Sequence, residues 1–182
     1  MRIVAGTWRG RNLVAPPGQG TRPTADRVRQ SLFDMLMHAE WAGRTAIEDA
    51  TVLDVFAGTG ALGLEALSRG AATATFIESD PAALRALQAN VAACRAQDRT
   101  QILAVNALSV PAGHANSVVF LDPPYGLDLV SRALTRLRAV GRIGPGTLVV
   151  AETGGAETWV PDQPLLAERR HGAARILIFH AG

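Results

Sequence analysis

The chain contains no lysine: all 18 of its basic residues are arginine. Cysteine is nearly absent too. Cys94 stands alone, so no internal disulfide can form, and a reducing, cytoplasmic setting is the natural expectation. It falls inside a predicted helix, where a small buried thiol is expected rather than a nucleophile. No apolar run approaches the roughly 18 residues of a membrane span. The opening stretch, Met1 to Arg11, has no long apolar run after its charges and does not read as a secretory signal. The four histidines (His38, His114, His171, His180) are dispersed without metal-ligand spacing, and no metal is expected. With 182 residues, 48% of them hydrophobic, there is enough chain for one core and too little for two full domains.

Acidic charge is scarce at one end. Residues 1–30 hold Arg2, Arg9, Arg11, Arg22, Arg27 and Arg29 against the single acid Asp26, a local charge of +5. The rest of the chain therefore carries −3 within a net charge of +2. A compositional bias explains arginine over lysine, but not why the charge collects at one end. A basic end on a mildly acidic domain points to a polyanion partner. Arg9, Arg11, Arg22, Arg27 and Arg29 are the candidate RNA contacts. Trp8, among them, either stacks on a base or packs the segment onto the domain.

Residues 1–23 mix short β-like runs at 2–5 and 12–14 with glycine and proline, and read as a basic hairpin-and-loop extension. Residues 24–182 read as one compact unit. Thr24 is expected to cap a helix running to about Met37, with Val28, Leu32, Met35 and Leu36 on its apolar stripe and Arg27 and Arg29 off it. Strands are then expected over 51–56, 73–78, 101–105, 118–121 and 147–152, and helices over 61–69, 81–95 and 127–140. A closing antiparallel pair is expected over 165–170 and 175–180. Such alternation implies an α/β fold, a mostly parallel sheet with helices on both faces. Ligands bind such sheets beyond the carboxyl ends of the strands.

Two motifs lie at those ends. Gly58, Gly60 and Gly63 fit GxGxxG between a strand and a helix, a pattern shared by NAD, FAD and S-adenosylmethionine sites. Asp54, just before the turn, would repel a pyrophosphate and suits a ligand carrying an amino group and a sulfonium. Glu78, ending the next strand, can accept hydrogen bonds from ribose hydroxyls. Further on, a core strand runs directly into Asp122-Pro123-Pro124-Tyr125. Two prolines stiffen the exit and leave main-chain carbonyls free. Asp122 adds an acceptor and Tyr125 an aromatic face. The set suits an exocyclic amino group on a planar base, oriented by Asp122 and the Pro123 carbonyl.

Asp54-x-Phe56-Ala57-Gly58-x-Gly60 with Asp122-Pro123-Pro124-Tyr125 resembles the Rossmann-like class I amino-methyltransferases. Arg2-Ile3-Val4-Ala5-Gly6-x-Trp8-Arg9-Gly10-Arg11, Thr21-Arg22-Pro23-Thr24-x-Asp26-Arg27-Val28-Arg29 and Gly63-Leu64-Glu65-Ala66-Leu67-Ser68-Arg69-Gly70 make it similar to the bacterial 16S rRNA guanine-N2 methyltransferase family, the D-type enzymes that act on the small ribosomal subunit. The resemblance covers nearly the whole chain and weakens after about residue 150. It implies a seven-stranded sheet with a small N-terminal β-hairpin, and S-adenosylmethionine as cofactor. It also implies one guanine N2 as target, in 16S rRNA of an assembled or partly assembled small ribosomal subunit. A monomer is the default expectation. Carried over, the cofactor site includes Asp54, Phe56, Gly58, Gly60, Glu78, Asn106 and Ala107, with Pro23 and Thr24 nearby. The catalytic set is Asp122, Pro123, Pro124 and Tyr125. Gln30 stands where many relatives have Glu, and Asp122 where some amino-methyltransferases have Asn. Other readings are DNA adenine or protein glutamine as target, an NAD-dependent oxidoreductase, and an RNA-binding module with a vestigial cofactor site.

Overall fold

Strands made of consecutive apolar residues need cover on both faces. Val118–Leu121 reads VVFL and is buried throughout. A computed structural model describes residues 1–16, 23–42 and 46–182, with only the backbone for 23–25. Its elements are α1 (Pro23–His38), β1 (Thr51–Val55), α2 (Ala61–Ser68), β2 (Thr73–Glu78), α3 (Pro81–Ala93), β3 (Thr100–Ala104), β4 (Val118–Leu121), α4 (Leu129–Ala139), β5 (Leu148–Gly154), β6 (Leu165–His171) and β7 (Ala174–His180). The seven strands lie in the order β3-β2-β1-β4-β5-β7-β6. β1 to β5 run parallel; β7 is antiparallel to both β5 and β6. The chain order reverses between β1 and β4, which opens a crevice at their carboxyl ends.

The pleat sorts the core into two layers. Val52, Val118 and Phe120 pack with Phe33 and Leu36 of α1, Leu64 and Leu67 of α2, and Leu87 and Val91 of α3. Leu53, Val55, Val119 and Leu121 pack with Val130, Leu134 and Leu137 of α4. No described helix is long and apolar enough to cross a membrane. One helix boundary departs from expectation: Asp128 adopts φ 50, so α4 starts at Leu129 and Leu127 is left 59% exposed outside it.

The N-terminal pairing is shorter than two strands. It is one antiparallel bridge, Arg2 with Asn12, flanked by Ile3 N–H donating to the Arg11 carbonyl at 2.9 Å and Leu13 N–H to that of Met1 at 3.0 Å. Ile3 and Leu13 sit in the same core layer as α1 and α2. The segment is fastened by Glu65 of α2, which is fully buried. Its carboxylate accepts from Val4 N at 2.8 Å, Ala5 N at 3.0 Å and Arg69 Nε at 2.8 Å, and lies 3.6 Å from Arg29 Nε. Arg29 also pairs with Asp26 at 2.9 Å, and Arg69 with Asp34 at 3.2 Å. This corrects the expectation that Arg29 contacts RNA. It is off the apolar stripe of α1, but the N-terminal segment and α2 cover that side as well, leaving it 5% exposed.

Removing Glu65 would leave two buried guanidinium groups without their shared anion. Glu65→Ala should lower stability to urea by about 3–5 kcal/mol, while Arg27→Ala, on the exposed side of α1, should change it by less than about 0.5 kcal/mol. Equal losses in the two variants would show that the buried cluster does not hold the segment.

Candidate active site

β1 delivers Asp54 and then turns sharply. Phe56 takes φ 61, Gly58 φ 54 and Gly60 φ 76 before α2 begins. A Cβ on Gly60 would lie 2.4 Å from Leu87 Cδ1, and one on Gly63 2.4 Å from the Phe76 ring. The third glycine thus lets α2 press against β2 and brings its own N–H within 2.9 Å of Asp54 Oδ2. Glu78, at the end of β2, accepts from Gly58 N at 2.7 Å through Oε2, and from Ser79 N at 2.7 Å and Asp80 N at 2.8 Å through Oε1. Asp80 then caps α3, accepting from Ala83 N at 2.7 Å. The loop is therefore braced by two carboxylates placed at adjacent strand ends.

A cavity of about 400 Å³ opens above the ends of β1, β4 and β5, within the size range of small-molecule sites. Asp54, Phe56, Gly58, Asp122, Glu152 and His171 line it, and Met1, Val28, Arg29 and Leu32 form one wall. Burial pushes the Asp54 carboxyl up to about 8 against the opposing hydrogen bond from Gly63, with the charges of Asp122 and Glu78 adding to the rise. Asp122 is exposed at the mouth of the cavity, with protein packed around its base. Burial raises its carboxyl too, and the charge of Glu152 raises it further. Arg29, which also lines the cavity, is committed to Asp26 and Glu65. The space is therefore electrostatically hospitable to a cation and hostile to a pyrophosphate.

The tetrad is held from β5. The Tyr125 hydroxyl donates to Glu152 Oε1. Burial, that hydrogen bond and the carboxylates around it push the phenol pKa upward. Glu157 Oε1 accepts from both Gly126 N at 2.8 Å and Gly154 N at 3.1 Å, clamping the loop to the strand end. The Pro123 carbonyl accepts no hydrogen bond from the described residues.

Asp54, Phe56, Gly58 and Asp122 thus meet at one cavity, while Gly60 and Glu78 shape and brace the loop that carries Gly58 without lining it. Asn106 does not line it: its side chain is exposed and caps the turn at Ala107–Ser109, accepting from Leu108 N at 2.8 Å, while Ala107 is buried. Arg9 and Arg11 are exposed but lie at the other end of the domain. The tip of the N-terminal segment binds Ser68 at the end of α2, and Arg11 donates to the Ala93 carbonyl at the end of α3. Arg22 lies outside the described residues, as do the side chains of Pro23 and Thr24. Arg27 is exposed on α1, beside the cavity wall. Trp8 is half-buried under the Arg99 guanidinium, 5.2 Å from its ring centre, so its role is packing. Sequence reasoning missed Glu152 and His171, and with them exposed Arg169 and Arg170 on β6. Glu152 carried the signal used for Asp54, an acid near the carboxyl end of an apolar strand.

The family model described as Conserved hypothetical protein 95 matches residues 1–180. Ribosomal RNA small subunit methyltransferase D of Escherichia coli K12 is 41% identical over 166 residues, 90% of this chain and 79% of that protein. The solved structure of the Escherichia coli protein yhhF superposes with a TM-score of 0.84 at 37% identity, covering 99% of this chain and 97% of the other. An RNA methyltransferase from Salinibacter ruber, solved with S-adenosyl-L-homocysteine, shares the fold at 18% identity and a TM-score of 0.61, over 88% of this chain and 92% of that one.

The raised Asp54 carboxyl sets the sign of a pH effect. The folded chain holds this proton above the ordinary carboxylate range near 3.8, so the associated stability is present at low pH and lost as pH rises through about 8. Without added ligand, the urea midpoint should fall across that window. Asp54→Asn, which keeps an oxygen for the Gly63 N–H, should make the fall shallower, and adding Asp122→Asn shallower again. An unchanged slope in the double variant would assign the titration to other groups.

Proposed function

The chain belongs to the Conserved hypothetical protein 95 family, among relatives of the small-subunit rRNA methyltransferase D type, and from that premise we propose that it methylates the exocyclic N2 amino group of one guanine in 16S rRNA. Methylation of ribosomal RNA with S-adenosylmethionine is the activity of this family. The finer reading rests on one observation: Asp122 lines a cavity whose depth holds Asp54, and the carbonyl of the adjoining Pro123 accepts no hydrogen bond from the described residues.

The residues present fit the cofactor. It carries an amino group and a sulfonium and no phosphate, matching a cavity with a buried carboxylate whose lining arginine, Arg29, is already committed to Asp26 and Glu65. Above Gly58 there is open space where any side chain would intrude. Asp54, Phe56, Gly58, Gly60 and Glu78 would hold it; the family pattern adds Pro23 and Thr24, and also Asn106 and Ala107, which lie outside the cavity lining. When bound, it supplies an electrophilic methyl group. Asp122 and the Pro123 carbonyl then accept the two hydrogens of the target amine and aim its lone pair. Both oxygens face the nitrogen as it gains positive charge, which lowers the barrier. The raised carboxyl of Asp122 makes it a stronger base for the proton the nitrogen must lose. A base enters such a pocket only when flipped out or supplied by a loop. Arg27, with Arg169 and Arg170, would meet the surrounding phosphates of an assembled or partly assembled small subunit, and Arg9 and Arg11 would extend the contact away from the cavity.

The test is methyl transfer from labelled S-adenosylmethionine to small-subunit particles from cells lacking this protein, followed by nucleoside analysis. N2-methylguanosine in the rRNA is expected. Label in DNA adenine or protein glutamine would keep the amine chemistry and overturn the substrate. Asp122→Ala should lower the rate by about 100-fold or more, with cofactor affinity by calorimetry retained. Equal loss of both would place Asp122 in cofactor binding instead.

A further inference from the structure

Glu152 is half-buried at the cavity and pairs with no cation among the described residues. Its charge acts on Asp122, a second acid facing the same space. The strand register explains the closeness: Leu121 of β4 pairs with Ala151 of β5, so Asp122 and Glu152, next along each chain, stand side by side on one face. Adjacent strands are about 4.8 Å apart. Two neighbouring carboxylates with no cation between them are a standing electrostatic cost. Glu152 Oε1 is held by the Tyr125 hydroxyl, which fixes the carboxylate, while Oε2 has no hydrogen-bond partner among the described residues. The pair therefore presents two acceptors in a row to whatever planar group enters the rim.

We propose that Glu152 reads the Watson–Crick edge of the target base: Oε2 accepts the N1–H of guanine while Asp122 accepts an N2 hydrogen. This rests on the guanine reading above and adds the residue that enforces it. Guanine carries adjacent donors on that edge, N1–H and the N2 amine. Adenine carries an amine beside an N1 lone pair, which would face the Glu152 carboxylate with no hydrogen between them. A site built to take a donor rejects an analogue lacking it far more strongly than shape alone does. Tyr125 acts here as the positioning residue, holding Glu152 in place.

The experiment compares wild type, Glu152→Met, Glu152→Gln and Tyr125→Phe on the same particles, with nucleoside analysis, thermal melting and cofactor titration alongside. Glu152→Met keeps the volume and removes both acceptors. It should lower kcat/KM for N2-methylguanosine formation by about 100-fold, with Glu152→Gln losing about tenfold and cofactor affinity unchanged in both. Tyr125→Phe, which keeps the ring and the carboxylate, should lose less than either. Wild-type label on guanine with both Glu152 variants unimpaired would overturn the pairing alone, as would a Tyr125→Phe loss equal to that of Glu152→Met, since Glu152 would then work only through the tyrosine. If Glu152→Met does not melt cooperatively, Glu152→Gln decides between the same outcomes in its place. Wild-type label on adenine or protein would overturn the guanine reading and this pairing with it.

Discussion

Glu65 has no exposed surface, yet its carboxylate receives two backbone N–H groups and stands between two guanidinium groups. Burying one charge in a core is costly; burying an anion with cations on either side and N–H donors at its remaining positions recovers much of that cost. What this arrangement secures is one wall of the cavity. Met1, Val28, Arg29 and Leu32 reach the cavity from the N-terminal segment and α1, and both elements touch α2 through Glu65. Asn90 of α3 repeats the device, donating to the carbonyls of Val14 and Thr59 and accepting from Val14 N. The N-terminal segment has too few paired residues to stand as a strand, and polar anchors replace the missing ladder.

The same logic, with the cations left out, builds the cavity itself. Asp54 and Glu78 brace the glycine loop by accepting backbone N–H groups, but neither has an arginine partner among the described residues. Backbone donors offset only part of the burial cost, so Asp54 holds its proton into the neutral range. A cationic ligand would return that carboxyl toward its ordinary value, coupling ligand binding to proton release.

Much of this was legible in the sequence, and the rest failed for identifiable reasons. The parallel strands are continuous apolar runs, and acids at their ends stand out against them, which is why Asp54, Glu78 and Asp122 were readable. Arg29 was not, because helical periodicity reports one apolar face and says nothing of a polar segment folding over another. Arg9 and Arg11 lie close in sequence to Arg27, but the N-terminal segment runs the length of α2, about 12 Å at 1.5 Å per residue, and carries them to the far end. Leu127 matched the stripe of α4, but Asp128 in a left-handed conformation ends the match. Glu152 carried the same signal as the other acids; what the sequence did not show is its tie to Tyr125, 27 positions away.

Three neighbouring strands, β1, β4 and β5, each bring one acid to the cavity, and the register gives them different depths. Asp54 pairs with Phe120, two residues before Asp122 on β4, so it lies about 6.6 Å deeper along the strand on the same face. Asp122 and Glu152 share the rim level. A buried carboxylate low in the site and a pair of carboxylates at its mouth form a gradient suited to two guests at once. On the proposed function the deeper guest would already be cationic, and the shallower one would become so only while it reacts. The three acids share one cavity beside the point where strand order reverses, so the fold holds there a concentration of negative charge facing a space a ligand can enter rather than packed core.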